Sequence, residues 1–132
     1  MIDLEEQIVI LYALHGGGGK GRKGRIMQFI IQNGLMKPRE GDAEHRQTNE
    51  TKLENDVAWA REDLKEQGWL SMPRHGFWQI TQAGREKLLR VAKAVYEKKL
   101  DEDGDLLFDR FNAKLLGELR ELGQRAADGK SP

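Results

Sequence analysis

No cysteine occurs among the 132 residues of the sequence. That excludes a disulfide scaffold, a cysteine-ligated zinc module and a thiol nucleophile. Long apolar runs are missing too: the longest, Ile8 to Leu14, is far too short to cross a bilayer. It follows Asp3, Glu5 and Glu6, where a secretory signal would be basic, so the expectation is a soluble, cytoplasmic protein. The length leaves no room for a dinucleotide domain with its own substrate domain or for a TIM barrel; it fits one domain with a short appendage.

Net charge is also absent, with 22 Lys and Arg against 22 Asp and Glu. The balance hides a segregation. Residues 1–14 carry three acids and no base, residues 15–99 carry 17 bases against 11 acids, and residues 100–132 carry five bases against eight acids. A basic middle between acidic ends suits a polyanionic partner.

The periodicity predicts helices. Leu4, Ile8, Leu11 and Tyr12 mark the first, over 3–14, stopped by Gly16 to Gly19. Ile26, Phe29 and Ile30 mark a second, over 22–32, with Asn33-Gly34 as its stop. A polar loop over 37–48 precedes a third helix over 50–67, whose core stripe is Leu53, Val57, Ala60 and Leu64. Residues 69–80 change period and read as a hairpin with a basic tip, Pro73-Arg74-His75-Gly76. Thr81 caps a fourth helix with Leu88, Leu89, Ala92 and Val95 on its apolar side. After an acidic break, an amphipathic helix over 106–122 carries Leu107, Phe111, Leu115, Leu119 and Leu122.

The expected fold is therefore mainly α with a small β-hairpin: a winged helix-turn-helix plus a C-terminal amphipathic helix. Its expected divisions are a winged-helix DNA-binding domain over 1–98, the break and last helix over 99–122, and a flexible tail over 123–132. In such a domain the third helix enters the major groove and the wing lies along the backbone. Here Arg46, Gln47, Thr48 and Asn49 lead into that helix and Thr51 opens its first turn. Lys52, Asn55, Trp59 and Glu66 lie opposite its core stripe. Asn and Gln pair with adenine, Lys and Arg with guanine or phosphate, and Thr with phosphate or a thymine methyl. Arg74 and His75 would meet phosphate at the wing tip. Lys20, Arg22, Lys23 and Arg25, read as the start of the second helix, oppose its dipole, so a phosphate partner explains them better than local stability does. Trp59 either packs against the wing or an end helix or stands exposed for stacking. Trp78 and Ile80 alternate into the core, leaving Phe77 on the other side of its strand.

The segment Leu53-Glu54-Asn55-Asp56-Val57-Ala58-Trp59-Ala60-Arg61, then Leu64-Lys65 and Gly68, Gly76-Phe77-Trp78-Gln79-Ile80-Thr81 and Gly84-Arg85, resembles the N-terminal winged-helix domain of Mrr-type restriction proteins. The resemblance covers about residues 4–90 and is densest over 53–85. It implies binding of double-stranded DNA within systems that recognise modified or foreign DNA. In such proteins a nuclease domain usually follows, so this chain is expected to be a stand-alone relative or a fragment.

Other motifs fail on context. Gly19-Lys20-Gly21-Arg22-Lys23-Gly24 matches G-x-G-x-x-G, but no further buried parallel strands follow to support a dinucleotide. Arg25-Ile26 stands where a Walker motif needs Lys-Ser or Lys-Thr. Asp42 with Glu50-Thr51-Lys52, and Glu97-Lys98-Lys99, imitate nuclease acids but sit in a loop and helices. His15, His45 and His75 lack ligand spacing. No enzyme activity, catalytic residue, metal or cofactor is expected. The other reading is an interaction module or transcriptional regulator, in which the stripe Leu107, Phe111, Leu115, Leu119 and Leu122 meets a second copy or a nuclease partner. The same stripe folding back on the first helix is the intramolecular alternative.

Overall fold

The structure, a computed structural model, describes residues 4–35, 49–97 and 113–129. The element order is α1 (Leu4–Gly16), β1 (Lys20–Arg22), α2 (Lys23–Gln32), α3 (Asn49–Glu66), β2 (Leu70–Arg74), β3 (Phe77–Ile80), α4 (Gln82–Glu97) and α5 (Ala113–Ala127). The fold is mainly α with one small antiparallel sheet, and its first six elements follow the order of a winged helix. The expected loop over 37–48 lies outside the described residues.

α1 is the central helix. Ile8, Val9, Ile10, Leu11, Ala13 and Leu14 are all buried, and it touches α2, α3, α4 and the sheet. A helix apolar on every side needs neighbours on every side. Gly18 and Gly19, both at positive φ, end it and turn the chain back; the Gly19 amide donates to the Leu14 carbonyl at 2.7 Å. Such φ values cost a glycine nothing.

The sheet has the order β1-β3-β2. Its first strand corrects the sequence reading, in which Lys20 and Arg22 opened the second helix. Instead Lys20 pairs with Gln79, Gly21 with Trp78 and Arg22 with Phe77, and α2 starts at Lys23. The free edge of β3 supplies the pairing that three residues of weak strand propensity could not specify alone.

Thr81 caps α4 as expected: its hydroxyl accepts from the Gly84 amide at 3.0 Å and donates to the Gly68 carbonyl at 2.6 Å. Leu88, Val91, Ala92 and Val95 form the buried side of α4, and α5 packs along that helix. Leu115, Leu119 and Leu122 are buried within the chain, which corrects their assignment to a dimer or partner seam. Their apolar surface is already covered; Leu107 and Phe111 lie outside the described residues. α5 also runs to Ala127, five residues past its expected end, with Gly123 buried against Ala92.

Candidate nucleic-acid interface

The wing is built by alternation. β2 and β3 are joined by a two-residue turn, His75-Gly76, with Gly76 at φ +71°. Trp78, Ile80 and Leu70 point into the core. Phe77 and Gln79 take the other face, together with their partners Arg22, Arg74 and Lys20. The Arg74 guanidinium lies over the Phe77 ring, 4.7 Å from its centroid, a cation–π contact that holds the arginine on the sheet surface. Arg74 and His75 are both exposed at the tip, where the sequence put them.

Lys23 joins the wing to α2. Its amide donates to the Gly76 carbonyl at 3.0 Å, so the first residue of α2 is tied to the turn of the hairpin. Lys20, Arg22, Lys23 and Arg25 are all exposed. The ion pairs Arg61–Glu62 and Lys114–Glu118 involve other cations. The sequence reading placed two of these cations, Lys20 and Arg22, on the wrong element.

Where α2, α3 and the wing meet there is a cavity of about 150 Å³, lined by Lys23, Ala58, Arg61, Met72, His75 and Trp78 together with the Gly76 backbone. No acid stands among its described lining residues. Arg61 was missed by the sequence reading, which used it only as part of a family motif. Its Nη1 donates to the Met72 sulfur at 3.0 Å and its Nη2 pairs with Glu62 at 3.1 Å. Its Nε is buried and unpartnered. The available signal was position: Arg61 follows Val57 by four residues and so flanks the core stripe on the wing side. The cavity therefore offers cationic donors at an apolar seam, a setting suited to an anion's oxygens.

The outer face of α3 is uneven. Val57, Ala60 and Leu64 are buried, while Trp59 is 61% exposed, which decides between the two readings of that residue. Glu66 is exposed and Glu62 half-buried, so the C-terminal half of the outer face is acidic. Asn49, Thr51, Lys52 and Asn55 lie in the N-terminal half of α3, with side chains outside those described. Arg46, Gln47 and Thr48 lie outside the described residues altogether.

Among the described residues, no three His, Asp or Glu side chains converge as a metal site would require. No described helix is long and apolar enough to cross a membrane. His15 is half-buried, and burial followed by the nearby Arg85 charge pushes its pKa below the ordinary histidine value, which favours a neutral ring near pH 7.

A family model described as the Mrr N-terminal domain matches residues 8–90, more than half of the chain, from within α1 into α4. No curated protein and no solved structure matches the chain.

Proposed function

Since the chain belongs to the Mrr N-terminal domain family, we propose that it is a double-stranded DNA-binding module that recognises rather than cuts. The N-terminal half of α3 enters the major groove and the wing tip follows the phosphate backbone. The observation that carries this reading is the convergence of Lys23, Arg61 and His75 on one cavity, beside the exposed Arg74, with no acid among its described lining residues. Lys23 from α2, Arg61 from α3 and the His75 imidazole from the turn bring hydrogen-bond donors to one seam, as backbone contact requires. Glu62 and Glu66 repel phosphate from the C-terminal half of α3, so docking is limited to the half that ends near Trp59. Family membership supports a restriction-system setting; within it the proposed role is recognition of modified or foreign DNA, with cleavage assigned to a separate activity.

The test is equilibrium binding of the intact chain to a labelled duplex and its methylated counterpart. Lys23→Ala and Arg74→Ala should weaken both duplexes alike, because phosphate contacts carry no sequence information. Lys52→Ala and Asn55→Ala should instead change the preference between duplexes. Four variants that all bind like the parent would remove this docking.

A further inference from the structure

A second basic surface lies around β1, on the outer face of the sheet that Arg74 shares at the wing tip. We infer that it is a groove for an unpaired stretch of nucleic acid, distinct from the duplex-binding seam; the inference rests on the DNA-binding reading above and adds a second ligand to it. The groove has a volume of about 580 Å³ and is lined by Gly17, Gly18, Lys20, Arg22, Arg25 and Phe77. It shares no residue with the cavity at the α3 seam.

Its size falls within the range of roughly 300–1,000 Å³ that accommodates a whole small molecule rather than one phosphate. Three cations and no acid stand among its described lining residues, so the ligand is anionic. Phe77 stands in its wall, opposite Arg22 in the register, with the Arg74 guanidinium over one side of its ring; a base would stack on the remaining side or take the place of the guanidinium. Bases stack on aromatic rings while cations hold the backbone, and the combination is tolerant of sequence. A paired base is held inside the helical stack and cannot reach a ring on a sheet surface. The chemistry therefore selects unpaired nucleotides.

The glycines contribute space. A Cβ at Gly18 would meet nothing within 4 Å, and the Gly17 and Gly18 amides already donate to the Ala13 and His15 carbonyls. The loop thus adds no free amide donors, and the anion is held by Lys20, Arg22 and Arg25. The arrangement suits a protein that meets an opened or damaged duplex, with α3 on the paired arm and the sheet on the free strand.

The experiment titrates the intact chain into labelled oligothymidylate and, separately, labelled duplex. Fluorescence anisotropy and tryptophan emission are both read. Both ligands should bind, and excess unlabelled duplex should leave most of the oligothymidylate complex in place. Duplex should quench the exposed Trp59, and oligothymidylate should not. Arg25→Gln, on an exposed helix position, should weaken oligothymidylate about tenfold with duplex affinity unchanged; Phe77→Leu, which keeps apolar bulk in the strand but also releases Arg74, should weaken oligothymidylate about tenfold, the loss of one stacking contact, and duplex by less. A thermal melt of each variant confirms the fold. Duplex binding without oligothymidylate binding, full competition between the two, or affinities unmoved by both substitutions would overturn the groove and leave the duplex reading intact. Binding of neither ligand would remove both.

Discussion

At Arg61 the core and the interface meet. Its Nε is buried without a partner, and a donor in that state costs about 1–3 kcal/mol. The Met72 sulfur is only a weak acceptor. A phosphate oxygen in the adjoining cavity would satisfy the group, so the cost in the free protein becomes affinity in the complex. Arg61→Met should therefore leave the melting temperature unchanged or raise it, while weakening duplex binding about tenfold or more, the loss of a charge-assisted hydrogen bond. A melt and a binding curve on one sample check both halves. A destabilised variant with unchanged affinity would make Arg61 purely structural.

Tyr12 plays the corresponding part at the other end of the molecule. Its hydroxyl donates to Glu118 at 2.7 Å, linking α1 to α5. Burial, then that hydrogen bond, raises the phenol pKa; the same bond lowers that of Glu118 against the opposing effect of its burial. A lowered carboxyl pKa adds stability that is present at neutral pH and lost as the pH falls through the folded-state value; a raised phenol pKa adds stability lost only in strong alkali. Tyr12→Phe should cost about 1 kcal/mol at pH 7 and flatten the acid side of the melting-temperature profile. A profile parallel to that of the parent would assign the acid dependence to other groups.

Among the elements, α5 is held by a close approach. A Cβ at Gly123 would collide with the Ala92 carbonyl and crowd the Tyr96 side chain, and neither the backbone nor a packed helix gives way cheaply. Gly123→Ala should destabilise the chain by about 1–3 kcal/mol, the usual range for overpacking. Gly117→Ala, where nothing lies within 4 Å, should be neutral or stabilising. Chemical denaturation of the pair checks this; equal stabilities would mean that α5 is not packed on α4 as described.

The elements also show how much the sequence discloses. α2, α3, the hairpin and α4 were legible because each carries one apolar face and a cap or turn residue at its end: Thr81 before α4, Gly76 in the turn. β1 was not. Its single inward residue is Gly21, and Lys20 and Arg22 point outward, so it carries no apolar alternation; pairing with β3 makes it a strand. The end of α5 was missed because Gly123 reads as a helix stop, whereas here it is the contact that lets two helices approach. In the candidate interface the cations were legible from composition. The seam that gathers Lys23, Arg61 and His75, and the separation of Lys20, Arg22 and Arg25 into another groove, depend on tertiary folding that no local pattern encodes.

For the whole molecule, the neutral formal charge is misleading. Bases of the middle segment are exposed on β1, the start of α2 and the wing, and also along α4 at Arg85, Arg90 and Lys93. A chain without net charge can thus still present basic patches to a polyanion. Among the described residues α5 packs on α4 and makes no extensive contact with the wing or α3, so it lies apart from the proposed binding seam. Changes at Tyr12 or Gly123 should accordingly move melting temperature without moving duplex affinity at temperatures where the chain is folded.

The most direct measurement is duplex affinity across a salt series, read by anisotropy with the parent chain and Lys23→Ala side by side. Each neutralised phosphate contributes about −0.9 to the slope of log affinity against log salt. The parent should show a slope of several units, and Lys23→Ala should reduce it by about one. No duplex binding at low salt, or binding that ignores salt, would contradict the assignment of the wing and the α2–α3 seam to DNA.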